Sequence, residues 1–88
     1  MSWDDVGYVM ASKNRRIVLS LLEEPKTPTI LAKAADINLA NVSRTLTELE
    51  RNGLVVCLTP KKRVGRIYSL TKKGKEVVGK VAKMERRE

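Results

Sequence analysis

The apolar positions of this chain fall into five runs at the helical period, interrupted once by a stretch of a different kind. In "SWDDVGYVMAS", Trp3, Val6 and Met10 share one face, Ser2 stands where an N-cap belongs, and Asp4 and Asp5 occupy the first turn, where carboxylates suit the helix dipole. A helix is predicted over 2–11. Ser12 can cap a second helix, "KNRRIVLSLLEE", whose Ile17 and Leu21, and Val18 and Leu22, recur at i and i+4 until Pro25 ends it. Gly7 and the segment 12–14 mark either a break between these two helices or a bend in one. Thr27 as N-cap and Pro28 at N1 open a third, short helix with Ile30, Leu31 and Ala34 on its apolar side. It should stop at Asp36-Ile37-Asn38, with Ile37 reaching into the core and Asn38 capping the next helix. In that fourth run Leu39, Val42, Leu46 and Leu49 form one stripe, all four expected in the core, and Asn52-Gly53 supplies the stop.

Beyond Gly53 the residues change to strand formers, "LVVCLT" and then "RIYSLT", on either side of "PKKRVG". This reads as a β-hairpin, with Gly65 available for a positive φ. Thr71 then caps a last helix in which Val77, Val78, Val81 and Met84 make a narrow apolar seam. Lys72 and Lys73 are unexpected in its first turn, because cations there oppose the helix dipole. A short helix, a tight turn and a longer helix with a polar outer face (Ala40, Asn41, Arg44, Thr47, Glu48, Arg51) make a helix-turn-helix over 27–52. The hairpin covers 54–71, terminal helices cover 2–11 and 72–86, and 88 residues suffice for one domain, not two.

Charge changes the picture more than overall composition does. Of a formal +8, residues 41–75 carry nine Lys/Arg against two Asp/Glu, a net +7, whereas residues 1–40 balance at five each. Such segregation is the footprint of a surface meant for a polyanion. One Cys and no His remove zinc sites and Ser or Cys triads together, so no metal, cofactor or enzymatic activity is expected. No apolar run approaches the ~18 residues of a membrane span, and Met1–Asp5 lacks the features of a signal peptide, so a cytoplasmic chain without a membrane partner is expected.

The order helix, helix, turn, helix, hairpin, helix resembles the winged helix-turn-helix domain of transcription regulators. "NVSRTLTELERNGLV" at 41–55 is similar to that family's recognition-helix signature, and "RIYSLTKKGKEV" at 66–77 to its second wing strand and following helix. The resemblance is to the MarR and ArsR groups, most of all to small regulators of archaeal type. It does not extend to the paired cysteines of metal-sensing ArsR proteins, since Cys57 stands alone.

The fold implied is α+β and mostly α: a three-helix core, a two-stranded wing and extra N- and C-terminal helices. The implied function is sequence-specific binding of double-stranded DNA in transcription regulation. The recognition helix would enter the major groove with Asn38, Asn41, Ser43, Arg44 and Thr47, short or fork-shaped groups able to approach base edges. The wing would bring Lys61, Lys62, Arg63 and Arg66 to the adjacent minor groove and backbone. A homodimer is expected through Trp3, Val6 and Met10 of the first helix and Val77, Val81 and Met84 of the last. Two other uses of the same fold stay open: a protein-interaction module within a larger assembly, and a binder of structured RNA.

Overall fold

The computed structural model describes residues 3–85. Five helices and two strands follow in the order α1 (Trp3–Met10), α2 (Lys13–Leu21), α3 (Pro28–Ala35), α4 (Leu39–Arg51), β1 (Val55–Cys57), β2 (Tyr68–Leu70) and α5 (Lys72–Glu85). This is the mostly helical winged helix-turn-helix expected. Ser2 and the far end of the 72–86 helix lie outside the described residues.

Local capping chemistry sets most of the helix starts. The Ser12 hydroxyl accepts from the Arg15 N–H and its backbone is extended (φ −132°, ψ 124°), so α1 and α2 are separate helices and not one bent one. The Thr27 hydroxyl accepts from Ile30 N–H with Pro28 at the first helical position, and Asn38 Oδ1 accepts from Asn41 N–H at 2.8 Å. Between α3 and α4 Asp36 takes the left-handed conformation (φ 57°, ψ 46°), which a short polar side chain tolerates, and Ile37 N–H closes on the Ala32 carbonyl at 3.1 Å. Gly53 and Gly65 adopt the positive φ that their turns require. Helix α2 is shorter than expected: it ends at Leu21, where the Lys26 ammonium takes the Leu21 carbonyl at 2.7 Å.

Val18, Leu19 and Leu22 from α2 and its end, Leu31 of α3, and Val42, Leu46 and Leu49 of α4 form an aliphatic core. Thr45 joins the same buried side. The terminal helices close this core from one side, with Val6 and Val9 of α1 and Val77 and Val81 of α5 all buried. Three of the residues expected at a dimer interface, Val6, Val77 and Val81, are therefore used within the chain itself. The seam looked narrow because it needs to cover only one small domain. On α3, Ile30 and Ala34 face out and Leu31 alone is fully buried, since an eight-residue helix packed on one side has room for little more.

The wing is a short antiparallel pair, Val55 with Leu70, Val56 with Ser69 and Cys57 with Tyr68, prolonged by the Leu58 N–H to the Ile67 carbonyl at 2.7 Å. On its other side β2 is bridged by Lys26, which exchanges both backbone hydrogen bonds with Tyr68 at 2.9 and 3.0 Å. Nothing in the local sequence around Lys26 marks it as a third strand-like residue. It pins the wing to the start of the helix-turn-helix.

Candidate nucleic-acid interface

Helix α4 is held at both ends and along its back. Its carboxyl end meets a node of backbone contacts: Leu54 N–H bonds the Leu49 carbonyl, Thr71 N–H the Leu54 carbonyl, and the Thr71 hydroxyl donates to the Gly53 carbonyl at 2.6 Å. Gly74, in the first turn of α5, lies so close to the Leu54 carbonyl that a Cβ there would collide with it. Lys73 accounts for one of the two misplaced cations: its ammonium donates to the Asn52 carbonyl at 3.0 Å and pairs with Asp5 at 3.3 Å, so it serves the dipole of α4 instead of opposing only its own.

Along its back, α4 is tied to α2 by Glu48. The carboxylate meets Arg15 Nε at 3.3 Å, while the same guanidinium donates to the Tyr8 carbonyl at 2.8 Å and lies 3.9 Å from the Tyr8 ring centroid. Glu48 thus departs from the polar outer face on which the helical wheel placed it. One Arg side chain joins α1, α2 and α4.

What remains outward on α4 is Leu39, Ala40, Ser43, Arg44, Thr47, Glu50 and Arg51, all exposed. Arg44 has no partner among the described residues. The Thr47 hydroxyl donates to the Ser43 carbonyl at 3.0 Å and keeps its acceptor lone pairs for a partner. Asn38 spends its side-chain oxygen on the cap, which leaves only its amide group to face outward, and Asn41 is half-buried behind it.

The wing brings Arg63 and Arg66 round to this face. Lys61, Lys62 and Arg63 are exposed and without side-chain partners among the described residues. Arg66 differs: it is half-buried, donates from Nη2 to the Pro60 carbonyl at 2.9 Å across the loop, and has a buried Nε without a hydrogen-bond partner among the described residues. It shapes the wing tip. Tyr68 beneath it has its phenol pKa raised above the usual 10.0, chiefly by burial, with the Arg66 charge acting in the opposite sense.

Between the wing and the helix-turn-helix runs a groove of about 550 Å³, lined by Thr27, Pro28 and Thr29 at the start of α3, Leu39, Ser43, Leu46 and Thr47 of α4, and Arg63 to Arg66 with Tyr68 of the wing. The structure thus brings together Ser43, Thr47, Arg63 and Arg66 from the expected set, and leaves Asn38, Asn41, Arg44, Lys61 and Lys62 beside the groove instead of in it. Two features of this groove were not anticipated. Leu39, expected in the core stripe, is 49% exposed, and Val64 at the wing tip is 86% exposed. For Leu39 the missed signal is its position as the first residue of α4, ahead of the turn at which α3 covers the stripe.

Trp3, Met10 and Met84, the other residues assigned to a dimer, are exposed, half-buried and exposed respectively, with the Lys80 ammonium 4.7 Å from the Trp3 ring centroid. Among the described residues no three His, Cys, Asp or Glu side chains are gathered as a metal site needs, and no helix is long and apolar enough to cross a membrane.

A helix-turn-helix braced from behind, with a basic two-stranded wing beside its second helix, defines the winged helix-turn-helix class. Over residues 3–88 the chain matches the family model described as the HVO_A0261 N-terminal domain, and it belongs to that family. No curated protein matches it. Among solved structures it is similar to a mutant of ZitR from Lactococcus lactis (27% identity, TM-score 0.74, covering 84% of this chain and 52% of that one). It is likewise similar to the transcriptional regulator BldR from Sulfolobus solfataricus (26%, TM-score 0.78, 94% and 62%). A MarR-family transcription regulator matches at 25% identity and TM-score 0.77, over 91% of this chain and 55% of that one. The chain thus spans about half to three-fifths of the length of these neighbours.

Proposed function

We propose that this chain is the sequence-specific double-stranded DNA-binding part of a transcription regulator and acts as a homodimer. The observation that carries the reading is the groove, where Ser43 and Thr47 of α4 face Arg63 and Arg66 of the wing within a segment of net +7. The regulators among its structural neighbours support it. In this reading α4 enters the major groove, with Arg44 making a bidentate contact to a guanine or clamping a phosphate and with Ser43 and Thr47 reading or positioning. Lys61, Lys62 and Arg63 meet phosphates or the minor groove next to it. The dimer rests on Trp3 and Met84, the exposed apolar side chains of α1 and α5.

Enrichment from a random duplex pool tests the reading, followed by Arg44→Ala on the enriched site. A base contact predicts a loss of about 1–3 kcal/mol on that site and a smaller loss on random duplex. Equal losses would make Arg44 a phosphate clamp. No enriched sequence at all would contradict the reading and return the chain to the protein-interaction or RNA-binding alternatives.

A further inference from the structure

Leu39 occupies an unusual position for a large apolar residue. The periodicity of α4 assigns it to the core, yet the core closes without it: Val42, Leu46 and Leu49 are at most 1% exposed, whereas Leu39 keeps half its surface in solvent. It stands at i−4 from Ser43 and i−8 from Thr47, so all three lie along one ridge of the helix and line the same groove. Ala40 comes directly after it, also exposed. The start of the recognition helix is therefore apolar and outward, flanked by polar groups, in a groove whose opposite wall carries Arg63 and Arg66. Scattered exposed apolar residues need no explanation. This one shares a groove and a helix ridge with the groups assigned to base contact, and the surrounding charge selects a polyanion as the occupant.

In the DNA major groove one apolar group is on offer at base edges, the thymine 5-methyl. We infer that Leu39 is a specificity-determining residue that packs against a thymine 5-methyl group of the bound duplex. The inference rests on the DNA-binding reading above and adds to it the kind of base pair that must face the start of α4. Adenine paired to that thymine presents N6 and N7, and the Asn38 amide group next to Leu39 is left free by the cap to meet an acceptor there. Cytosine, which lacks the methyl, and deoxyuridine, which differs from thymine by the methyl alone, should both bind less well.

The test uses the duplex enriched from the random pool, with each thymine replaced in turn by deoxyuridine. For the unmodified chain, replacement at one position in each recognised half should weaken binding about fourfold, the value of burying one methyl-sized group at ~0.8 kcal/mol. Leu39→Ala should bind thymine and deoxyuridine duplexes alike at that position, with a thermal midpoint unchanged because the core does not use the side chain. An enriched duplex at which no deoxyuridine replacement matters overturns the inference and leaves the DNA-binding reading standing. Leu39→Ala retaining the fourfold difference assigns the methyl contact to another residue and likewise overturns it. Failure to enrich any duplex removes both together.

Discussion

At the scale of single residues, the fold depends on groups whose value comes from where they stand. Arg15 of α2 gathers a carbonyl and a ring from α1 and a carboxylate from α4, and its side chain retains 21% of its surface in solvent. A charged hydrogen bond of this kind, reduced by solvent screening, contributes about 1–2 kcal/mol, so Arg15→Ala should lower the urea midpoint accordingly and Arg15→Lys should recover only part of the loss. Glycines divide sharply. Gly74→Ala drives a methyl into the Leu54 carbonyl and should cost about 1–3 kcal/mol or more, since backbone cannot step aside. Gly79→Ala, also within α5 but facing open space, should gain about 0.5–1 kcal/mol. Denaturation of the two variants side by side checks the pair.

Tyr68 supplies a pH dependence with a definite sign. Burial raises its phenol pKa above the 10.0 of the unfolded chain, so the folded state binds the proton more tightly. Its stabilising contribution is complete below pH 10 and is lost as pH rises through the higher folded value. Unfolding measured about one unit either side of that pH should fall less steeply in Tyr68→Phe than in the unmodified chain. An identical slope would place the phenol in water.

At the scale of elements, helix starts were legible in the sequence because a cap acts over three residues. Ser12, Thr27 with Pro28, and Asn38 all do locally what their types suggest, and Gly53 and Gly65 turn where expected. Helix α4 and the two-stranded hairpin could be placed for the same reason. What periodicity could not show is which end of a stripe finds a neighbour. Leu39 stays half in solvent, Ile30 and Ala34 face outward, and Glu48 turns back to Arg15, each decided by helices distant in sequence. The bridge between Lys26 and Tyr68, 42 positions apart, was invisible on the same ground. Stability should follow the observed burial: Leu46→Ala is expected to cost about 2–5 kcal/mol, whereas Leu39→Ala should change it by less than about 0.5.

For the whole molecule, the consequence of burying Val6, Val77 and Val81 internally is that any dimer must be built on less. Trp3, 67% exposed, and Met84, 42% exposed, are the apolar groups that α1 and α5 leave outside. Light scattering at micromolar concentration should find a dimer, which Trp3→Glu with Met84→Glu should convert to a monomer of undiminished helix content. Two recognition helices about 34 Å apart would then favour a palindromic site. A monomer both with and without DNA would contradict the dimer while leaving the binding surface in place.

The cluster at 60–66 carries the central claim, because Lys61, Lys62 and Arg63, held on an exposed loop without side-chain partners among the described residues, gain from a polyanion that supplies the missing charge. Arg66 is set apart by its hydrogen bond to Pro60, which leaves Lys61, Lys62 and Arg63 as groups that can be neutralised without disturbing the loop. The decisive measurement is duplex affinity as a function of salt for the unmodified chain and for Lys61→Gln, Lys62→Gln, Arg63→Gln combined. If the three meet phosphates, binding weakens on all sequences and the slope of log affinity against log salt falls by ~2.7, at ~0.9 per contact, with the thermal midpoint unchanged. An unchanged slope in the folded variant would contradict the account and make "PKKRVGR" a solvated loop.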